Sequence, residues 1–227
     1  MFFPFDSTII LLIPALIMAF WAQAKVKGTF KKYSTVRSAS GYSGSQVARK
    51  ILDMHGLKDV DVEPISGSLT DHYDPSTRTV RLSELIFNER SVAALGIAAH
   101  ETGHAIQHAE DYSFLRYRHL MLKPATLGST MAFPLFIIGL FTSYGPLMTA
   151  GIILFTAALA FQLVTLPVEF DASRRALVTL RSTGIMADSE VNQARKMLNA
   201  AAWTYVAAAT MALSNLIRLL ILRDSID

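Results

Sequence analysis

The feature that most limits this chain is a run of 45 residues, Pro124 to Val168, without one Asp, Glu, Lys or Arg. As a single helix it would be roughly 67 Å long, about twice the hydrocarbon core of a bilayer. Near its middle stands "TSYGP" (Thr142 to Pro146), a turn-like break. The run therefore reads as two membrane-crossing helices, about 125–142 and 146–167, joined in a hairpin. Ser7 to Ala24 and Asn199 to Ile217 are also uncharged and supply spans at about 8–24 and 200–221. The expected fold is a mainly α integral membrane protein with about four transmembrane helices.

Charge gives the expected orientation. Nothing basic precedes the first span, whereas Lys25, Lys27, Lys31, Lys32, Arg37, Arg49 and Lys50 follow it. A secretory signal has the reverse layout, so residues 1–24 read as an uncleaved anchor. By the positive-inside rule the amino terminus faces outward and residues 25–124 lie in the cytosol. The hairpin, 125–168, returns the chain to that side for residues 169–199, and 200–227 crosses again. Of the 21 Lys and Arg, only Arg218 and Arg223 then fall outside the cytosolic segments. The expected location is the plasma membrane, multi-pass, with the bilayer as one partner. The absence of cysteine excludes disulfides and thiolate metal sites. A net charge of only +3, with its basic cluster beside the membrane, points to anionic headgroups rather than nucleic acid. Nothing in the sequence speaks to oligomeric state.

Within the cytosolic part, residues 45–55 pattern as an amphipathic helix with Val47, Ile51 and Leu52 on one side. Residues 59–64 and 77–83 alternate like short strands, and "DHYDPSTR" between them suits a turn. A helix is expected from about Ser83 to Asp111, and two more at 169–182 and 187–200.

The middle of the first of these helices reads "AAHETGHAIQHAE" (residues 98–110). Positions i and i+4 of a helix are about 40° apart around the axis, so His100 and His104 can aim both rings at one point. Glu101 points to the side of that point. This is the zincin pattern, in which two imidazoles hold Zn2+ and the carboxylate serves as catalytic base toward water. The surrounding Ala, Gly, Thr and Ile mark a packed face where polar groups need partners. Gly96 and Gly103 leave room for a strand or a substrate backbone to lie close. One zinc per chain needs a third protein ligand and an open position. His108 extends the i+4 series but lies about 12 Å from His100 along the axis, too far to share one metal. The first acid beyond the hairpin, Glu169 in "LPVEFDASRRA", is the better candidate, because a carboxylate at the end of an apolar span needs a partner. Asp171 competes for the role, but on a helix it points about 160° away from Glu169.

Those motifs, with "YDPSTRTVRLSE" and "SVAALGIAAHETGHAIQHA", resemble the YugP-like neutral zinc metallopeptidases over most of the chain. The two metal motifs and the spans between them resemble, more distantly, the HtpX and CAAX-prenyl-protease membrane gluzincins. The resemblance implies a small α+β zincin-like metalloprotease domain in the cytosol, acting on a protein or peptide substrate. It implies His100, His104 and Glu169 as zinc ligands and Glu101 as catalytic base. It also implies that Thr79, Val80, Arg81 and Leu82 form an edge strand that pairs with substrate backbone. The distant relatives carry Asp four residues after the ligand Glu to orient the first His, and here that position is Ser173. The hydroxyl could take the imidazole proton, or Asp171 could substitute. Arg174, Arg175 and His72 are candidate oxyanion stabilisers. The reading from another class is a catalytically inactive metal-binding membrane scaffold or regulator, against which an intact Glu101 argues.

Overall fold

A computed structural model describes residues 7–224. The first six and last three residues, which belong to the first and last expected segments, lie outside the described residues. The chain divides into two compact units. One comprises residues up to Gln23, 116–166, and 203 onward; the other comprises Ala24–Leu115 and Pro167–Ala202.

The first unit is built from parts of four helices: α1 (Ile13–Ser34, entered through a 3-10 stretch at Ser7–Leu12), α5 (Ser113–Phe141), α6 (Gly145–Ser182) and α7 (Asp188–Asp224). Each is long and apolar enough to cross a membrane. Phe20, Leu127, Phe141 and Ile153 are exposed, as lipid-facing side chains would be. Phe136, Met148, Ile152 and Leu219 form a small interior cluster. Gly151 lies against the backbone of Ala132 and Phe136, and Gly128 against that of Leu154. Small residues at such crossings bring backbones together where lipid supplies no hydrophobic drive. Trp21 and Trp203 meet edge to face at 5.5 Å. Arg218, a cation inside an apolar helix, donates its Nε–H to Thr8 Oγ1 at 3.3 Å.

The second unit joins the ends of those helices to α2 (Gly44–Met54), α3 (Glu84–Asn88), α4 (Val92–Ala109) and a three-stranded sheet. Ser43 opens α2 with a reciprocal cap: its Oγ accepts from Gln46 N, and its own N–H donates to Gln46 Oε1. Val47, Ile51 and Leu52 pack with Val80, Leu82, Ile86 and Leu95 in one core. The helix expected from Ser83 to Asp111 is interrupted, because residues 89–91 are drawn into extended pairing with 36–38. Ser38 N donates to Arg90 O and Val92 N to Val36 O, both at 2.8 Å. Ser91 then caps α4 by accepting from Ala94 N.

The sheet order is β1 (Asp61–Ile65), β3 (Thr79–Ser83), β2 (His72–Asp74). β1 runs parallel to β3, with Asp61 opposite Thr79, and β2 antiparallel, with His72 opposite Arg81. Two expectations are corrected here. Thr79, Val80, Arg81 and Leu82 are not an edge strand: β3 is central, with Thr79, Val80 and Arg81 paired to both neighbours and Leu82 to Pro64 of β1. And His72–Asp74, part of a stretch read as a turn, is itself a strand. Only residues 75–78 turn, closing with Arg78 at φ +52° and Ser76 N bonded to Asp74 Oδ1. The two glycines of α4 also meet something unforeseen. Gly96 faces Ala194 and Met197 of α7, and Gly103 faces the backbone of Ala172 in α6. They admit helices, not a strand.

Candidate metal centre

Gly103, between the two histidines of α4, is where that helix touches α6: a Cβ there would stand 2.8 Å from the carbonyl oxygen of Ala172. This close crossing carries His100 and His104 to Glu169, one turn before Ala172. His100 Nε2 lies 3.3 Å and His104 Nε2 3.7 Å from the same oxygen, Glu169 Oε2. One ligand atom from each residue falls within 4.8 Å of the others. The two rings stand nearly perpendicular, at 82°. His104 and Glu169 are buried and His100 is half-buried.

The far sides of the rings are held as well. Gln107 Nε2 donates to Val168 O at 2.8 Å and to Asp171 Oδ2 at 2.9 Å. Both partners only accept, so the amide can face just one way. Its Oε1, 3.0 Å from His104 Nδ1, must then accept that ring's proton. His104 is thereby fixed as the Nδ1–H tautomer, its Nε2 lone pair turned toward Glu169. His100 Nδ1 lies 3.1 Å from Ser173 Oγ, again leaving Nε2 on the inner side. The Nε2 atoms of two imidazoles and a carboxylate thus converge in a buried space. Three such donors facing one another repel unless a cation lies between them, and a pair of imidazoles with one carboxylate at this spacing suits a divalent metal.

The other named residues divide clearly. Asp171 does not reach His100; it acts on His104 through Gln107, and Arg174 and Arg175 clamp it from outside. Those two arginines, considered for the oxyanion, are aimed at Asp171, and Arg175 Nη1 also reaches Glu110 Oε2 at 2.7 Å. His72 is turned to Thr70 O, and His108 lies one turn beyond the cluster, bonded at Nδ1 to the Tyr73 hydroxyl at 2.8 Å. Glu101 is buried beside the cluster. Burial pushes its carboxyl up to about 7, with the charges of Glu169 and Asp71 adding to the rise; His100 and the backbone N–H of Tyr73 oppose it. Gln107 was missed in the sequence. Its signal was available: it is a lone amide three residues after His104 on the same apolar helix, hence on the same face.

Residues 8–224 match the family model described as "Putative neutral zinc metallopeptidase". The chain belongs to this family. It is also 50% identical, over 92% of its own length and 93% of the relative's, to a Bacillus subtilis (strain 168) protein named "Putative membrane protease YugP". No solved structure matches the chain. The family description names zinc, and the convergence of His100, His104 and Glu169 is a donor set that zinc accepts.

Proposed function

We propose that the protein is a membrane-embedded, gluzincin-type zinc endopeptidase, with the metal held by His100, His104 and Glu169 and with Glu101 as general base. The observation that carries this reading is the convergence of the three ligand atoms from two helices, with both rings oriented from behind. A zinc ion bound there would supply Lewis acidity toward a peptide carbonyl and toward water. Glu101, next to His100 and buried beside the cluster, takes a proton from the attacking water and passes it to the leaving amine. Ser173 holds the His100 ring, and Gln107, backed by Asp171, holds that of His104. The strand beside the metal helix with a free edge is β2, which gives an extended substrate a place to add to the sheet.

Residues 25–124 and 169–199, which contain most of the second unit as a zincin-like domain, are assigned to the cytosolic face of the plasma membrane. The support is the charge distribution: 19 of the 21 Lys and Arg fall in those two segments, counting all but Arg218 and Arg223. A tag at the amino terminus is then reachable from outside intact cells and a label at residues 35–45 is not. The opposite pattern reverses the orientation.

The deciding experiment uses the full chain in detergent, with hydrolysis of a mixed peptide library measured before and after a zinc chelator. Wild type should cleave and stop on chelation. Glu101→Gln should bind one zinc yet lose hydrolysis by about 10²–10⁴-fold, the usual share of acid–base catalysis. Turnover by this variant at the wild-type rate removes Glu101 from the mechanism. A zinc-loaded wild type that cleaves nothing in the library favours the inactive-scaffold reading.

A further inference from the structure

In the second unit, the carboxyl end of α6 and the amino end of α7 line a groove of about 480 Å³ that the proposed chemistry does not use. Its apolar wall is Phe170, Leu177 and Val178, and three guanidiniums, Arg174, Arg181 and Arg195, line it with no carboxylate among the lining residues. On α6 these residues follow a spacing of four, three, one and three, which places them along one helical stripe. That stripe is centred roughly 120° around the helix from Glu169, so the groove is not the mouth of the metal centre.

The charges are not equivalent. Arg174 pairs with Asp171, and Arg181 Nε lies 2.7 Å from Asp188 Oδ1. Arg181 and Asp188 are both exposed, so that pair is weak, and Arg174, although bound to Asp171 through one Nη, still has guanidinium donors left for another anion. Arg195 has no carboxylate partner among the described residues. Phe170 and Val178 remain exposed beside these cations. A surface that sets exposed apolar side chains beside three arginines, one of them without a carboxylate partner among the described residues, asks for a ligand that is both greasy and anionic.

The ends of the groove show what that ligand is. Its Phe170 end begins two residues after the uncharged run Pro124 to Val168 closes, and Asn199, which also lines it, opens the uncharged run Asn199 to Ile217. Along both helices the groove therefore starts where the lipid-compatible sequence stops, at the level of headgroups. Arg174 and Arg195 follow one turn farther on each helix, and Arg181 about two turns beyond Arg174. We propose that this groove binds the headgroup of an anionic phospholipid, its glycerol and upper acyl carbons against Phe170, its phosphate held by Arg174 and Arg195, and the polar end of the headgroup lying past Leu177 and Val178 toward Arg181. Basic pockets between spans serve anionic headgroups in this way. Because Ser173 also lines the groove, the bound lipid borders the residue that holds the His100 ring.

The test is binding and needs no hydrolysis, so its outcome is separate from that of the peptidase reading. The full chain, delipidated in neutral detergent, is titrated with phosphatidylglycerol or phosphatidylcholine in mixed micelles, and bound lipid is counted by native mass spectrometry. Phosphatidylglycerol should bind at one site and phosphatidylcholine should not saturate it. Arg195→Gln should weaken phosphatidylglycerol about fivefold, and Arg181→Gln with Arg195→Gln roughly 25-fold, at about one fivefold factor for each cation near a headgroup. Lys25→Gln with Lys27→Gln removes the same charge after the first span and should change binding little. Equal loss in that control means diffuse attraction and overturns the groove. Inorganic phosphate that displaces the lipid completely at equal concentration overturns the choice of a lipid, as does a polyglutamate peptide that binds in its place while phosphatidylglycerol does not.

Discussion

Among the spans, α6 crosses α5 where Gly151 and Gly128 let backbone lie on backbone, and the cluster they enclose is Phe136, Met148, Ile152 and Leu219. In the other unit the same helix α6 crosses α4 at Gly103, and what gathers around that crossing is His100, His104, Gln107, Glu169 and Ser173. One close-packing device serves two ends. In lipid it is the attraction itself, since apolar side chains gain little by leaving hydrocarbon. Away from lipid it is a spacer that sets a ligand distance, and the polar groups it buries must satisfy one another. The two crossings should therefore fail in different ways.

The largest difference is expected from Glu169→Ala. It leaves two imidazoles on one helix and nothing opposite, so zinc affinity should fall by roughly two orders of magnitude or more; loss of an outer partner alone costs about 10–100-fold. Zinc stoichiometry after equilibrium dialysis against a graded chelator measures it, with His108→Ala as the variant that keeps its metal. Zinc retained by Glu169→Ala at the wild-type level would mean that the α4–α6 crossing is held by packing alone, like the crossing among the spans.

Gln107→Leu should come next. The substitution keeps volume but strips His104 Nδ1 of its acceptor and Val168 O and Asp171 of a donor. Zinc should bind about 10–100-fold more weakly. Asp171→Asn, which loses the charge but keeps an acceptor for Gln107, should weaken it less. If Gln107→Leu binds zinc as wild type does, the ring is held by the helix alone and the amide is only a core group.

How much of this could be read beforehand depends on the kind of signal. That His100 and His104 share a helix face needs only helical periodicity, and Glu169 was expected from the returning hairpin together with the family resemblance; the structure brings the three side chains together. Helix ends were not legible. α6 and α7 run unbroken through positions 168 and 200, where the sequence reading changed from span to solvent segment. A change in charge marks where lipid should stop, but Val168 to Asp171 contain no residue that stops a helix. β2 was hidden because three residues beside Pro75 carry no period of their own; pairing with β3 makes them a strand. The edge at Thr79 to Leu82 was expected from the family resemblance, and with β2 in place β3 lies inside the sheet. Gln107 was hidden because an amide announces no chemistry until its partners, 61 and 64 residues away, are in place.

The smallest effects come from the glycines themselves, and they separate the two crossings most cleanly. Alanine in a helix gains up to about 1 kcal/mol over glycine, while overpacking costs about 1–3 kcal/mol. Gly28, with nothing within 4 Å of its added Cβ, reports the first term alone, so Gly28→Ala should be neutral or slightly stabilising. At Gly103 and Gly151 the new methyl meets carbonyl oxygens at 2.8 and 2.7 Å, and backbone cannot turn aside as a flexible side chain can. Both Gly103→Ala and Gly151→Ala should therefore melt at lower temperature than Gly28→Ala in the same detergent. Only Gly103→Ala should also loosen zinc, because pushing α6 off α4 carries Glu169 away from the histidines, whereas Gly151 lies at a crossing without ligands. Melting curves recorded with saturating zinc and with chelator give both answers. The gap between the two curves should shrink for Gly103→Ala and stay at the wild-type value for Gly151→Ala. If it shrinks equally for both, zinc affinity follows global stability and the two crossings are one mechanical element. If it shrinks for neither, Gly103 is not the spacer that sets the distance from Glu169 to the histidines.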